Sequence, residues 1–139
     1  MYIYGDSRKN IYQDNESDSF RIDIGTSLEL DGKWEIAVLD IDLPTMKKDV
    51  NIPMYVTLFC NVCEISCVDS SQKPVLYRMY KSDFRAGNSL RITTPRYVPI
   101  SSKSLRTLDI YILDHNGEIP PFTPGVTTCT LHLRKNGLQ

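Results

Sequence analysis

The chain has two histidines in 139 residues, at His115 and His132, so no His-x-His pair is available to chelate a metal. A Gly-rich phosphate loop, a Gly-x-Ser-x-Gly nucleophile turn and a His-Glu-x-x-His motif are likewise missing. Without them the usual frameworks for metal-assisted, phosphoryl-transfer and acyl-transfer chemistry are gone, and the chain is expected not to be an enzyme. Asp40 and Asp42 share one side of a strand, as do Asp109 and Tyr111, but on an outer sheet face such carboxylates are solvated. There is also no long apolar run. Ile52 to Val68 is broken by Thr57, Asn61, Glu64 and Ser66, whereas a membrane helix needs about 20 apolar residues. The opening Met1 to Asp6 lacks the basic and apolar regions of a signal peptide. A net charge of −1 with 41% hydrophobic residues excludes both a disordered tail and a uniformly basic nucleic-acid binder. No stretch repeats its apolar residues at helical spacing between caps.

Two-residue periodicity is abundant instead. Leu108, Ile110 and Ile112 share one parity while Thr107, Asp109 and Tyr111 share the other, as in a strand with one buried face. Asn116-Gly117 supplies a tight reversal, and Pro120, Pro121 and Pro124 keep the next segment out of a ladder. In the last strand Cys129, Leu131 and Leu133 face one way, Thr128, Thr130 and His132 the other. Further strands are expected from Phe20 to Ile24, interrupted by Gly25-Thr26-Ser27, then at Trp34–Ile41, Met54–Val62, Val75–Tyr80, Leu90–Thr94, Leu105–Leu113 and Val126–Leu133. Trp34–Ile41 is apolar on both parities, so it should be covered on both faces or lie under a neighbouring subunit. The expected fold is all-β, a single eight-stranded jelly-roll β-sandwich spanning 19–139 and preceded by a polar arm or loop at 1–18. Trp34 should anchor its core, with Ile36 and Val38 on the same parity.

Several segments together resemble a known family. They are Phe20-Arg21-Ile22-Asp23-Ile24, Leu28-Glu29-Leu30-Asp31-Gly32-Lys33-Trp34-Glu35-Ile36-Ala37-Val38-Leu39, Tyr55 to Cys60 with Val75 to Arg78, Tyr97-Val98-Pro99, Leu108 to Ile112, Asp114 to Gly117, Ile119-Pro120-Pro121-Phe122 and Thr130 to Lys135. In this order they resemble the single jelly-roll minor capsid (penton) proteins of Polinton/Maverick-type elements and adintoviruses, over about three quarters of the chain. The stretch from Pro44 to Pro53 is short, so the outward insertion that longer relatives carry is expected to be absent. The resemblance implies a viral structural protein that forms homopentamers at the five-fold vertices of an icosahedral capsid. Its partner there would be a double jelly-roll major capsid protein, and its location the virion after assembly inside the host cell. A jelly-roll attachment module that recognises a receptor or glycan through aromatic loops is the alternative. The missing His-x-His pair argues against a cupin, the main enzymatic use of a similar barrel.

Charge is unevenly distributed. Residues 1–72 hold six Lys/Arg against thirteen Asp/Glu, residues 73–106 hold eight against one, and residues 107–139 hold two against three. Such a division suits a head-to-tail ring contact in which an acidic flank meets a basic one, and it makes Arg85, Arg91 and Arg96 the candidate interface residues. Arg78, Lys81 and these arginines interleave with Tyr77, Tyr80, Phe84 and Tyr97, as in single-strand binders, although alternation on strands gives the same pattern. Non-specific genome contact through this segment or through Arg134 and Lys135 is compatible with an inner capsid surface. No cofactor or metal is expected. Cys60-Asn61-Val62-Cys63 with Cys67 resembles half a zinc site, but an odd spacing on a regular strand would point Cys60 and Cys63 to opposite faces. The four cysteines are therefore expected to be small buried hydrophobes with free thiols, ahead of a disulfide or an adventitious metal, in a reducing compartment. Asp14, Asn15, Glu16 and Asp18 lack the glycine and terminal Glu of a calcium loop and read as a polar loop.

Overall fold

Alternation of apolar and polar residues decides which face of each strand goes inward. Leu108, Ile110 and Ile112 are at most 1% exposed and so are Leu131 and Leu133, while their odd-parity neighbours stay partly open to solvent. The computed structural model describes residues 1–10, 12–48, 50–68, 70–84 and 88–136. Its strands are β1 (Tyr2–Asp6), β2 (Ser19–Glu29), β3 (Trp34–Asp42), β4 (Tyr55–Cys60), β5 (Ser66–Val68), β6 (Ser71–Lys73), β7 (Val75–Tyr80), β8 (Ser89–Arg91), β9 (Val98–Pro99), β10 (Ser104–Asp114) and β11 (Thr128–Lys135). A 3-10 turn follows β7 at Lys81–Asp83.

One antiparallel sheet has the order β1-β11-β3-β8, with β9 also pairing β3; the other has the order β2-β10-β4-β7. The chain crosses from sheet to sheet at β1–β2, β2–β3, β3–β4, β7–β8, β9–β10 and β10–β11, which is a jelly-roll winding. The two inner faces share one core. Ile36, Val38 and Ile41 from β3 meet Val56, Leu58 and Met79 from the opposite sheet, and burying each such side chain contributes about 1.5–3 kcal/mol.

Four departures from the expected layout have physical causes. First, residues 1–18 are not an arm. Ile3 is buried and β1 pairs β11 from Tyr2↔His132 to Asp6↔Thr128, so the domain begins at the N-terminal strand and not at residue 19. Buried Asn15 then pins the 7–18 loop: its amide donates to the Arg8 carbonyl at 3.0 Å and its Oδ1 accepts from the Arg21 N–H at 2.9 Å. Second, β2 runs through Gly25 without ending. Gly25 takes φ 84° while the register jumps from Asp23↔Thr107 to Leu28↔Leu105, so the interruption is a bulge within one strand. Third, β3 is apolar on both parities because it also bulges. Thr130 pairs Asp40 and Leu131 pairs Val38, so Leu39 is the extra residue and Ile36, Val38 and Ile41 all turn inward. Ala37, on the other parity opposite His132, is 0% exposed within a single chain, and no neighbouring subunit is needed to cover it. Fourth, beside the two four-strand ladders the described residues hold three further strand segments, the β5–β6 hairpin and the short β9 next to β3, and the strand expected at Leu90–Thr94 is β8 at Ser89–Arg91.

Trp34 is also corrected. It opens β3 opposite Lys135 and is only partly buried, packing against the rim of the core. Its indole N–H donates to the Asp31 carbonyl at 2.9 Å across the Asp31-Gly32 turn. No helix among the described residues is long and apolar enough to cross a membrane.

Candidate subunit interface

Registers place the candidate residues along shared rows. Tyr4 pairs Thr130, Thr130 pairs Asp40, and Asp40 pairs Arg91, so one row crosses the sheet from the β1 edge to the β8 edge. A second row runs Asp6, Thr128, Asp42, Ser89. In the facing sheet β2 and β7 are the outer strands. The sandwich therefore has two lateral sides, β1/β2 and β7/β8, with opposite charge. Residues 2–29 hold six acidic and three basic side chains, whereas 73–84 and 88–96 hold five basic and one acidic.

Part of this polarity is spent inside the chain. Arg91 reaches the Asp40 carboxylate at 3.3 Å, with its own side chain 74% exposed, so this candidate already pairs with the acidic half. Arg96 is exposed in the segment between β8 and β9. Burial pushes the Tyr77 phenol up, with the Asp83 charge adding to the rise and the Arg96 charge opposing it. Arg85 lies outside the described residues. On the acidic side Lys9 meets Glu16 at 3.1 Å, and Arg21 makes a two-pronged contact with Asp109 at 2.6 and 3.2 Å. The Asp23 carboxyl is held low by the Gly25 N–H and the Tyr12 hydroxyl, with Arg106 a smaller influence.

The outer faces are built from cation and aromatic pairs. On the β7 sheet the Arg78 guanidinium lies 4.2 Å from the Tyr55 ring centre, Lys73 stands over Phe59, and Phe59 stacks on Tyr111 at 4.7 Å. Opposite, Arg134 covers Tyr97 at 3.4 Å and binds Glu35 at 2.7 Å, while the Tyr97 hydroxyl and His132 Nδ1 share a hydrogen bond of 2.7 Å. Desolvation lowers the His132 pKa, with the N-terminal ammonium and Arg134 adding to the effect. Of the interleaved basic and aromatic residues, Arg78 and Tyr97 are taken up in such pairs within the chain, by Tyr55 and Arg134.

Sequence reasoning missed the two-residue turn that brings the paired cysteines together. β4 ends at Cys60, and the Cys63 N–H returns to the Cys60 carbonyl at 3.1 Å, so both side chains are buried. The hydrogen bond with Cys60, and burial, push the Cys63 thiol up. Cys129 is buried too, with its pKa pushed up to about 12 by desolvation, and Cys67 is exposed. All four are free thiols, and no three His, Cys, Asp or Glu side chains converge on a metal position among the described residues.

The strand ends at Asp6, Asp42, Tyr55, Tyr80, Asp114 and Thr128 lie together at one end of the sandwich, and the loops there expose Ile52, Met54, Ile119 and Val126. Tyr80 at the same end is an aromatic ring 50% exposed. Fold and surface together define an antiparallel β-sandwich whose distinguishing feature is a pair of unlike lateral sides. No protein-family model matches the chain, and a search of curated proteins finds no match either.

Proposed function

We propose that the chain is a structural protein that assembles head to tail into a closed ring. On the family resemblance, that ring is the five-copy penton of an icosahedral capsid, seated among double jelly-roll major capsid proteins in a virion built inside the host cell. The observation that carries the reading is the opposite charge of the β1/β2 and β7/β8 sides, acidic in excess over 2–29 and basic in excess over 73–84 and 88–96. A heterologous contact needs two different complementary patches on each copy, and a rotation that closes makes a ring. The role is burial and shape fit, and it needs no chemical step.

Charge reversal tests it. Replacing Arg85, Arg91 and Arg96 together by Glu should impair ring formation more than fold stability, since like charges set face to face at an interface are costly while exposed charges contribute about 0–1 kcal/mol to a single chain. Arg91→Glu also sets a carboxylate against Asp40 inside the chain, so Arg96→Glu with Lys81→Glu is the cleaner pair. Rings that form as readily in both variants as in the parent would contradict the reading.

A further inference from the structure

β4 ends at Cys60, and the two residues after it form a turn that brings Cys63 back, with the Cys63 N–H donating to the Cys60 carbonyl at 3.1 Å. A hydrogen-bonded turn holds its first and last Cα atoms within about 7 Å, and disulfides join Cα atoms about 4.4–6.8 Å apart. The two side chains are 0% and 2% exposed, and they meet: the Cys63 thiol donates a hydrogen bond to the Cys60 sulfur. Asn61, inside the turn, is exposed, so the pair lies just below the surface. The Cys60 thiol in turn donates to Asn61 Oδ1 at 3.8 Å.

The two sulfurs are unlike. The hydrogen bond from Cys63 lowers the Cys60 pKa against the opposing effect of burial, and the Val62 N–H adds to the lowering. The same hydrogen bond, with burial, pushes Cys63 up. Cys60 is therefore the sulfur that gives up its proton, and the thiolate is the nucleophile. The remaining thiols stand apart, Cys67 exposed on β5 and Cys129 buried on β11 in the other sheet.

We propose that Cys60 and Cys63 form a reversible oxidation site, held as two thiols in a reducing compartment and closed to a disulfide by hydrogen peroxide. The Cys60 thiolate attacks one peroxide oxygen, the O–O bond breaks, and the leaving hydroxide takes up the proton that Cys60 released, giving a sulfenic acid and water. The Cys63 sulfur then displaces the sulfenic oxygen, which leaves as a second water with the Cys63 proton. The sulfur pair loses two electrons and the peroxide gains them. Peroxide is small enough to reach the pair when the turn opens locally. The disulfide clips a junction between the sheets, since the Ser101 N–H donates to the Val62 carbonyl at 2.9 Å and the Glu64 N–H to the Pro99 carbonyl at 3.0 Å, on either side of Cys63. The site stands whether or not the chain assembles.

The test treats the folded, reduced Cys67→Ser chain with hydrogen peroxide, then denatures it and alkylates every remaining thiol. In that chain the tryptic peptide between Lys48 and Arg78 keeps Cys60 and Cys63 as its only cysteines. The alkylatable thiols should fall from three to one, and that peptide should lose two hydrogens and regain them with dithiothreitol. Oxygen added at exposed Met54 is told apart by its mass. Cys63→Ala removes the resolving thiol, so Cys60 should stop at a sulfenic acid that dimedone captures, with thermal melting to check the fold. A folded Cys67→Ser chain that keeps three alkylatable thiols, or whose new bond joins Cys129, would overturn the proposal whether or not the Cys63 variant folds.

Discussion

Trp34 sits where β3 begins, with its indole N–H tied to the Asp31 carbonyl and its ring on the rim of the core. Truncating a rim aromatic removes contacts without opening a closed cavity, so Trp34→Ala should cost about 1–2 kcal/mol, below the usual 3–5 kcal/mol for a buried Trp. Leu131, fully buried between the sheets, should cost about 2–5 kcal/mol when replaced by Ala. Urea unfolding of the two variants decides the order, and a larger loss at Trp34 would place that residue in the core. The thiols divide in the same way. At pH 8 a thiol reagent should modify exposed Cys67 rapidly and Cys60, Cys63 and Cys129 slowly, since burial keeps the reagent from all three and also disfavours the reactive thiolate at Cys63 and Cys129. Fast modification of more than one thiol in the native protein would contradict the buried placement.

At the scale of strands, the clearest signals were those in which a single parity ran unbroken. Val75–Tyr80 has its expected bounds, and the inward faces of β10 and β11 are those read from Leu108, Ile110, Ile112, Cys129, Leu131 and Leu133. The Asn116-Gly117 reversal is present as well: Gly117 takes φ 76°, and Asp114 Oδ1 accepts from the Asn116 and Glu118 N–H groups. Harder to read were features that depend on long-range pairing. β1 carries one inward residue of consequence, Ile3, and its ladder partner β11 lies at the far end of the sequence, so no local pattern marks it. Bulges at Gly25 and Leu39 shift parity in mid-strand, which looks like an interruption in one case and two-sided burial in the other. The β1 and β2 strands also meet closely at Gly5, where an added Cβ would lie 2.6 Å from Cγ1 of Ile22. Gly5→Ala should therefore destabilise the fold by about 1–3 kcal/mol through overpacking. An unchanged melting temperature would mean that Ile22 has room to move aside.

For the whole molecule, the charge division was legible as a count but its placement was not. Acidic residues from the first half lie on β3 as well as on the β1/β2 side, and Asp40 neutralises Arg91 within the chain. What survives is a difference in charge between two lateral sides, and it rests on strand pairings that the sequence does not carry. Exposed pairs at such a contact lose influence beyond about 8 Å at physiological salt, so rising salt should weaken a ring held partly by charge and leave its apolar centre. The most direct test is the mass of the purified parent protein in low-salt solution, by native mass spectrometry or sedimentation equilibrium. A discrete species of five chain masses, weakened but not abolished by added salt, is the result expected. A species of three chain masses would favour an attachment module, and a monomer at every concentration would contradict the assembly role.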